Sequence, residues 1–114
     1  MEKILDDVEA RIRASNLFDQ YGPLLKSNAR SIFEEYFSDD LSLSEVAEHA
    51  GITRQGVHDS IKRSLAVLED YEEALHLVAK HEEAERLAMK VSEAAERLHD
   101  DHLYDIAKHL EDLI

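Results

Sequence analysis

The chain of 114 residues contains no cysteine and no tryptophan, and only one proline and three glycines. Without cysteine there is no disulfide, no thiolate metal site and no thiol nucleophile. With so little Gly and Pro, tight hairpins are disfavoured and an all-α chain is expected. Aromatic residues are few: Phe18, Phe33, Phe37 and four tyrosines. No stretch approaches the ~20 apolar residues of a membrane span. The opening Met-Glu-Lys-Ile-Leu-Asp-Asp lacks the apolar run of a signal peptide. A soluble cytoplasmic protein follows: one small domain with a helical appendage. No Gly-rich phosphate loop exists and the serines fall at helix starts, so neither an enzyme nor a cofactor is expected.

What the chain has in excess is negative charge. Thirteen basic against 26 acidic residues give a net charge of −13, which repels phosphate backbones at long range. Its distribution is uneven. Residues 1–40 carry −4 and residues 66–114 carry −9, while residues 41–65 hold three charges of each sign and are neutral.

That neutral third reads as a helix-turn-helix. Ser42 and Glu45 have the spacing of a capping box, and Leu43, Val46, Ala47 and Ala50 follow at inward-facing intervals. Gly51 supplies a left-handed turn, Ile52 plugs the corner and Thr53 caps the next helix. On that helix Val57, Ile61 and Leu65 point inward. Thr53, Arg54, Gln55, His58, Asp59, Lys62 and Arg63 are left as candidate nucleic-acid-binding residues, where a recognition helix keeps side chains for a groove. Arg54, Gln55, Lys62 and Arg63 suit phosphates or the edges of guanine and adenine. The bland alternative is a solvated helix face with Asp59 paired to Lys62 or Arg63. Helix-turn-helix units also serve as plain tri-helical cores, and a DNA reader normally carries more Lys and Arg here.

Around this motif the pattern predicts further helices. Residues 3–14 place Ile4, Leu5, Val8 and Ile12 on one side, with a break at Ser15-Asn16. Leu17–Leu25 forms a short apolar helix ended by Gly22-Pro23, and Ser27 caps a helix bearing Ala29, Ile32, Phe33, Tyr36 and Phe37, closed by Asp39-Asp40. Beyond the motif, Val57, Ile61, Ser64, Leu68, Tyr71, Leu75 and Val78 form a heptad stripe on one long helix. Leu68, Tyr71, Leu75 and Val78 then need a cover, either the C-terminal helices over 81–98 and 102–114 or a second copy in a homodimer. The division expected is an N-terminal extension over 1–15, a helix-turn-helix domain over 16–78 and a helical extension over 79–114.

The segments Asn16-Leu-Phe-Asp-Gln-Tyr-Gly-Pro-Leu-Leu25, Tyr36-Phe-Ser-Asp-Asp-Leu-Ser-Leu-Ser-Glu45, Thr53-Arg-Gln-Gly-Val-His-Asp-Ser-Ile-Lys-Arg63 and Leu68-Glu-Asp-Tyr-Glu-Glu-Ala-Leu-His-Leu77 together resemble the YlxM family. These are small bacterial proteins with a helix-turn-helix similar to sigma factor region 4. The resemblance covers residues 16–77 and implies a role in co-translational targeting, with the signal recognition particle RNA or GTPase as partner. DNA remains an alternative, weakened by the net charge. The family's Arg-Gln pair falls on Arg54 and Gln55, and its Ile-Lys-Arg on Ile61, Lys62 and Arg63. His58 stands where an aromatic residue is usual.

Two other constellations are weighed and set aside. His99 and His102 lie at i, i+3, with His76, His81 and His109 on neighbouring helices, but spacing alone is a weak metal signal and Asp100-Asp101 reads as an interhelix turn. The pairs Glu34-Glu35, Asp39-Asp40 and Glu82-Glu83 occupy adjacent positions that point apart, as solvated charges do. The acidic face over 69–85 reads as a solubilising surface or as a lure for a basic partner.

Overall fold

A computed structural model describes residues 8–114. Among these residues there are six α-helices and no strand: α1 (Val8–Tyr21), α2 (Ser27–Phe37), α3 (Leu43–Ala50), α4 (Arg54–Leu75), α5 (Leu77–Leu98) and α6 (Asp101–Leu113), with a 3-10 turn over Gly22–Leu24. The expected positions of Ile4 and Leu5 lie outside the described residues. The chain divides into two compact units after Leu75.

In the first unit α4 is the axis, and α1, α2 and α3 all pack against it. Its buried residues Val57, Ile61, Ser64 and Leu68 recur at three- and four-residue intervals, the stripe a core-facing helix requires. Helix α1 does not break at Ser15-Asn16. Ala14, Leu17 and Tyr21 are all buried, and their shared face carries the helix through two weak formers that each cost only a few tenths of a kcal/mol. The break comes instead at Gly22, where an added Cβ would stand 2.9 Å from the Phe18 ring. Phe18 stacks on Phe33 at 5.0 Å between centroids, and Phe33 meets Phe37 at 4.5 Å. These rings and the aliphatic stripe of α4 form the core.

Helix α2 begins one residue earlier than its expected serine cap implies. Lys26 holds the N-cap position without a side-chain hydrogen bond, and Ser27 is already helical. After Phe37 the chain reverses through Asp40 in the left-handed region, at φ 57°. Arg11 from α1 lies over the rings of Tyr36 and Phe37, at 5.7 and 5.2 Å.

The long helix stops before Val78. Leu75 is its last residue, and His76 takes φ 57° and ψ 30° before α5 starts at Leu77. The expected stripe from Val57 to Val78 is therefore shared by two helices. Leu68 is buried, Tyr71 stacks on Tyr21 at 5.8 Å, Leu75 is exposed, and Val78 is buried on α5. Heptad spacing survives a one-residue left-handed break in the sequence but not in space, because an αL residue ends the helix and with it the angular repeat that puts such positions on one face. Glu72, expected in an acidic solvent face, is buried and accepts a hydrogen bond from the Tyr21 hydroxyl at 2.6 Å. Glu69, one turn earlier, is exposed and accepts two guanidinium hydrogen bonds from Arg13, at 2.7 and 3.2 Å.

The second unit is a helical hairpin of α5 and α6. His99, at φ 55°, closes α5, and the Asp100 N–H donates back to the Ala95 carbonyl at 3.0 Å. The Asp100 carboxylate then accepts from the Leu103 N–H at 3.0 Å and so starts α6. The turn expected at Asp100-Asp101 falls one residue earlier, at His99-Asp100, and Asp101 is already helical because Asp100 takes the N-cap position. No helix among the described residues is long and apolar enough to cross a membrane.

Candidate nucleic-acid interface

The α3–turn–α4 unit is built by local chemistry. The Ser42 hydroxyl accepts from the Glu45 N–H at 3.1 Å, and the Glu45 carboxylate accepts from the Ser42 N–H at 3.0 Å, a complete capping box. Gly51 has φ 70°, where a side chain would be strained although its Cβ would touch nothing. The Ile52 N–H returns to the Ala47 carbonyl at 3.1 Å. Thr53 then caps α4 through its hydroxyl, which accepts from the Gly56 N–H at 2.9 Å. Leu43, Val46, Ala47, Val57 and Ile61 are buried, as expected, whereas Ala50 and Ile52 are exposed. The helix ends at Ala50, so its last residue overhangs the corner instead of entering the core.

The capping box gives a direct test. Ser42→Ala should cost about 1 kcal/mol in chemical denaturation at neutral pH. Hydrogen bonding from the Ser42 N–H, and then from its hydroxyl, holds the Glu45 carboxyl below its ordinary value of 4.5. A depressed native pKa stabilises the fold above the unfolded value and ceases to do so as pH falls through the native one. The advantage of the wild type over Glu45→Gln should therefore narrow below about pH 4.5; an advantage that widens on acidification would refute the box.

Around α4, Gln55, Asp59 and Lys62 occupy the middle of the outward face at i, i+4, i+7. Arg54 and His58 lie to one side and Arg63 to the other. All are exposed except His58, whose side chain retains 15% of its accessibility. Its Nδ1 is sealed from solvent without a hydrogen-bond partner, 3.7 Å from Asp59 Oδ1. Asp59 forms no ion pair with Lys62 or Arg63; it accepts from the Gln55 side-chain amide at 2.9 Å. Arg54, Lys62 and Arg63 thus keep their cationic heads in water, and the Gln55 amide is held by its own helix.

Arg63 turns toward α2. There it lines a groove of about 560 Å³ with Asn28, Glu35, His49 and Ser60, which adjoins a second of about 440 Å³ bordered by Lys26 and Val67. His49 Nδ1 lies 3.0 Å from Glu35 Oε1 in that groove. Lys26 reaches this region through the loop before α2, and no spacing in the sequence signals it. Among the described residues no three His, Asp or Glu side chains gather to hold a metal. His99 sits in the hairpin turn and His81 Nε2 lies 3.3 Å from Glu85.

A family model described as "Putative helix-turn-helix protein, YlxM / p13 like" matches residues 8–110. That is well beyond residues 16–77, so the C-terminal hairpin is part of the family pattern. UPF0122 proteins of Bacillus cereus strain AH187 and Bacillus anthracis strain A0248 are each 45% identical over 86 residues, 75% of this chain and 78% of theirs. The same values hold for a UPF0122 protein of Bacillus thuringiensis subsp. konkukian strain 97-27. An unbroken match over both helical units, together with a capped helix-turn-helix, makes this chain a member of the UPF0122 family of YlxM- and p13-like proteins.

Proposed function

We propose that the chain is an accessory protein of the signal recognition particle pathway, using the outward face of α4 on that particle's RNA or GTPase. The observation that carries the reading is the free cationic set Arg54, Lys62 and Arg63 on a helix whose inward face is fully occupied by Val57 and Ile61. Family membership supports the pathway. Similarity of α3 and α4 to sigma factor region 4 is part of the same proposal. The net charge of −13 limits what three cations can do on bulk polyanion, so a defined partner with matched geometry is favoured over general nucleic-acid binding.

A second reading, a sequence-specific DNA-binding regulator, has one feature in its favour. Gln55 lies at the start of the exposed face, and its amide suits the paired donor and acceptor of adenine in the major groove.

Fluorescence anisotropy decides between them, with labelled signal recognition particle RNA and a mixed-sequence duplex each titrated at low and moderate salt. RNA binding should survive moderate salt. Arg54→Ala and Lys62→Ala should each weaken it about tenfold, equivalent to ~1.4 kcal/mol, and each should lower the salt slope by about one. Binding to the duplex alone would transfer the function to the regulator reading. Absence of binding to both the RNA and the GTPase would sink the targeting proposal.

A further inference from the structure

The hairpin of α5 and α6 keeps most of its large side chains out of its own interior. Beyond Val78 at the start of α5, the residues it buries are small: Ala88, Ser92 and Ala95 on α5 and Ala107 on α6. Most of its large aliphatic side chains are exposed. Leu87 is 49% exposed, Leu98 66%, Ile106 44%, Leu110 42% and Leu113 74%. A hairpin with alanine and serine between its helices gains little from its own interior, and chains this short rarely bury enough surface to hold together.

These residues belong to ordered stripes. On α5, Ala84, Leu87, Val91, Ala94 and Leu98 follow at spacings of three and four, and on α6 so do Leu103, Ile106, Leu110 and Leu113; Ala84, Val91, Ala94 and Leu103 are half-buried and the others exposed. This is the heptad period that lets helices interlock side by side. On each helix the stripe sits roughly a quarter-turn round from the face that meets the other helix. The offset has the same rotational sense on both, and because the helices run antiparallel both stripes reach one side of the hairpin. The opposite side is an acidic groove in which Glu85, Glu93, Glu96 and Glu111 surround Lys108. One side is apolar and the other is mostly charged, with the exposed Met89 among its carboxylates.

We infer that this apolar side is a dimer interface on which a second copy of the chain lays its own α5–α6 hairpin, completing a four-helix bundle. A second copy brings the same period and the same alternation of large Leu87, Val91 and Leu98 with small Ala84 and Ala94, so knobs meet holes about a two-fold axis. The size fits. Two helices side by side, about 20 Å long, give a footprint of ~400 Å². The accessible area of the side chains covering it exceeds that footprint and approaches the ~600 Å² per partner at which specific interfaces begin. It also exceeds the apolar patch of a few hundred Å² that a typical monomer leaves uncovered. Residues 76–114 hold five basic and ten acidic groups, so the two copies repel at long range and salt strengthens their association.

Sedimentation velocity of the full chain over a micromolar concentration series tests this. The mass should rise from 13.0 kDa to twice that value, at lower concentration in higher salt. Leu87→Glu and Leu110→Glu each place a charge in the interface and should weaken dimerisation on the order of 100-fold, whereas Glu93→Gln on the acidic side should leave it unchanged. Hydrogen exchange on the wild-type chain removes any dependence on how the variants fold: protection of residues 84–113 should rise with protein concentration. A wild-type mass that stays at 13.0 kDa, protection indifferent to concentration, or a dimer untouched by both glutamates would overturn the inference.

Discussion

Phe33→Ala is expected to destabilise the first unit by about 3–5 kcal/mol. The ring is fully buried, stacks on Phe18 with the planes 14° apart, and meets Phe37 on its other side. Its removal takes away the transfer free energy of the largest apolar side chain in α2 and leaves a void between α1 and α2. Neither helix can close that void cheaply. Phe18 packs so near Gly22 that an added Cβ there would stand 2.9 Å from its ring, so α1 and the turn that follows it already meet closely beside the gap. Domains of this size are held by only about 5–15 kcal/mol, and a loss on this scale removes a large part of that margin. Urea denaturation followed by circular dichroism reads it as a fall in midpoint. Phe37→Ala, at a half-buried ring, should shift the midpoint by clearly less. Equal shifts would mean that the stack contributes no more than its rim.

The second large effect concerns a polar contact. Tyr21→Phe should cost about 1–3 kcal/mol, the range for taking a hydrogen bond from a buried polar group. The hydroxyl lies 2.6 Å from the Glu72 carboxylate, and both residues are buried between α1 and α4. Burial makes such a pair asymmetric: deleting the donor takes one hydrogen bond from a buried carboxyl group, while replacing both partners by apolar groups removes the polar atoms as well. Tyr21→Phe combined with Glu72→Met should therefore be less damaging than the sum of the single changes. The coupling expected in a double-mutant cycle is about 0.5–3 kcal/mol. Strict additivity would show that the bond is incidental.

These two sites also mark where the amino-acid sequence speaks clearly and where it does not. The helix-turn-helix was legible because its signals are local. Ser42 with Glu45, Gly51, and Thr53 ahead of Arg54 act within four residues of where they stand, and each occupies its expected conformation. The phenylalanines of α2 were legible as core because large apolar side chains have nowhere else to go. Glu72 was not. It lies in a run of acidic residues, and only its position on the inward stripe of α4, one turn past Leu68, separates it from Glu69, Asp70 and Glu73. Ser15-Asn16 misleads for the converse reason, since tertiary burial of Ala14, Leu17 and Tyr21 overrides weak local propensity. The end of α4 at His76 has no Gly or Pro to announce it, and a histidine in the left-handed region leaves no trace in hydrophobic periodicity.

In the candidate interface the outward face of α4 was legible as a set, because three- and four-residue spacing sorts inward from outward positions. The state of each member was not. Whether Asp59 pairs with a cation or with Gln55 depends on rotamers that spacing does not encode, and the burial of His58 depends on neighbours contributed by other elements.

The carboxylate of Asp59 at the centre of that face has a consequence for competition. A cell offers an acidic protein an immense excess of indifferent polyanion, and a purely cationic helix would be sequestered there. An anion among the cations lowers affinity for phosphate as such and leaves undiminished only those surfaces that supply a donor for it. In the interaction proposed above, Asp59 would act as a filter, sacrificing strength on every surface so that little of the protein is lost to the wrong ones.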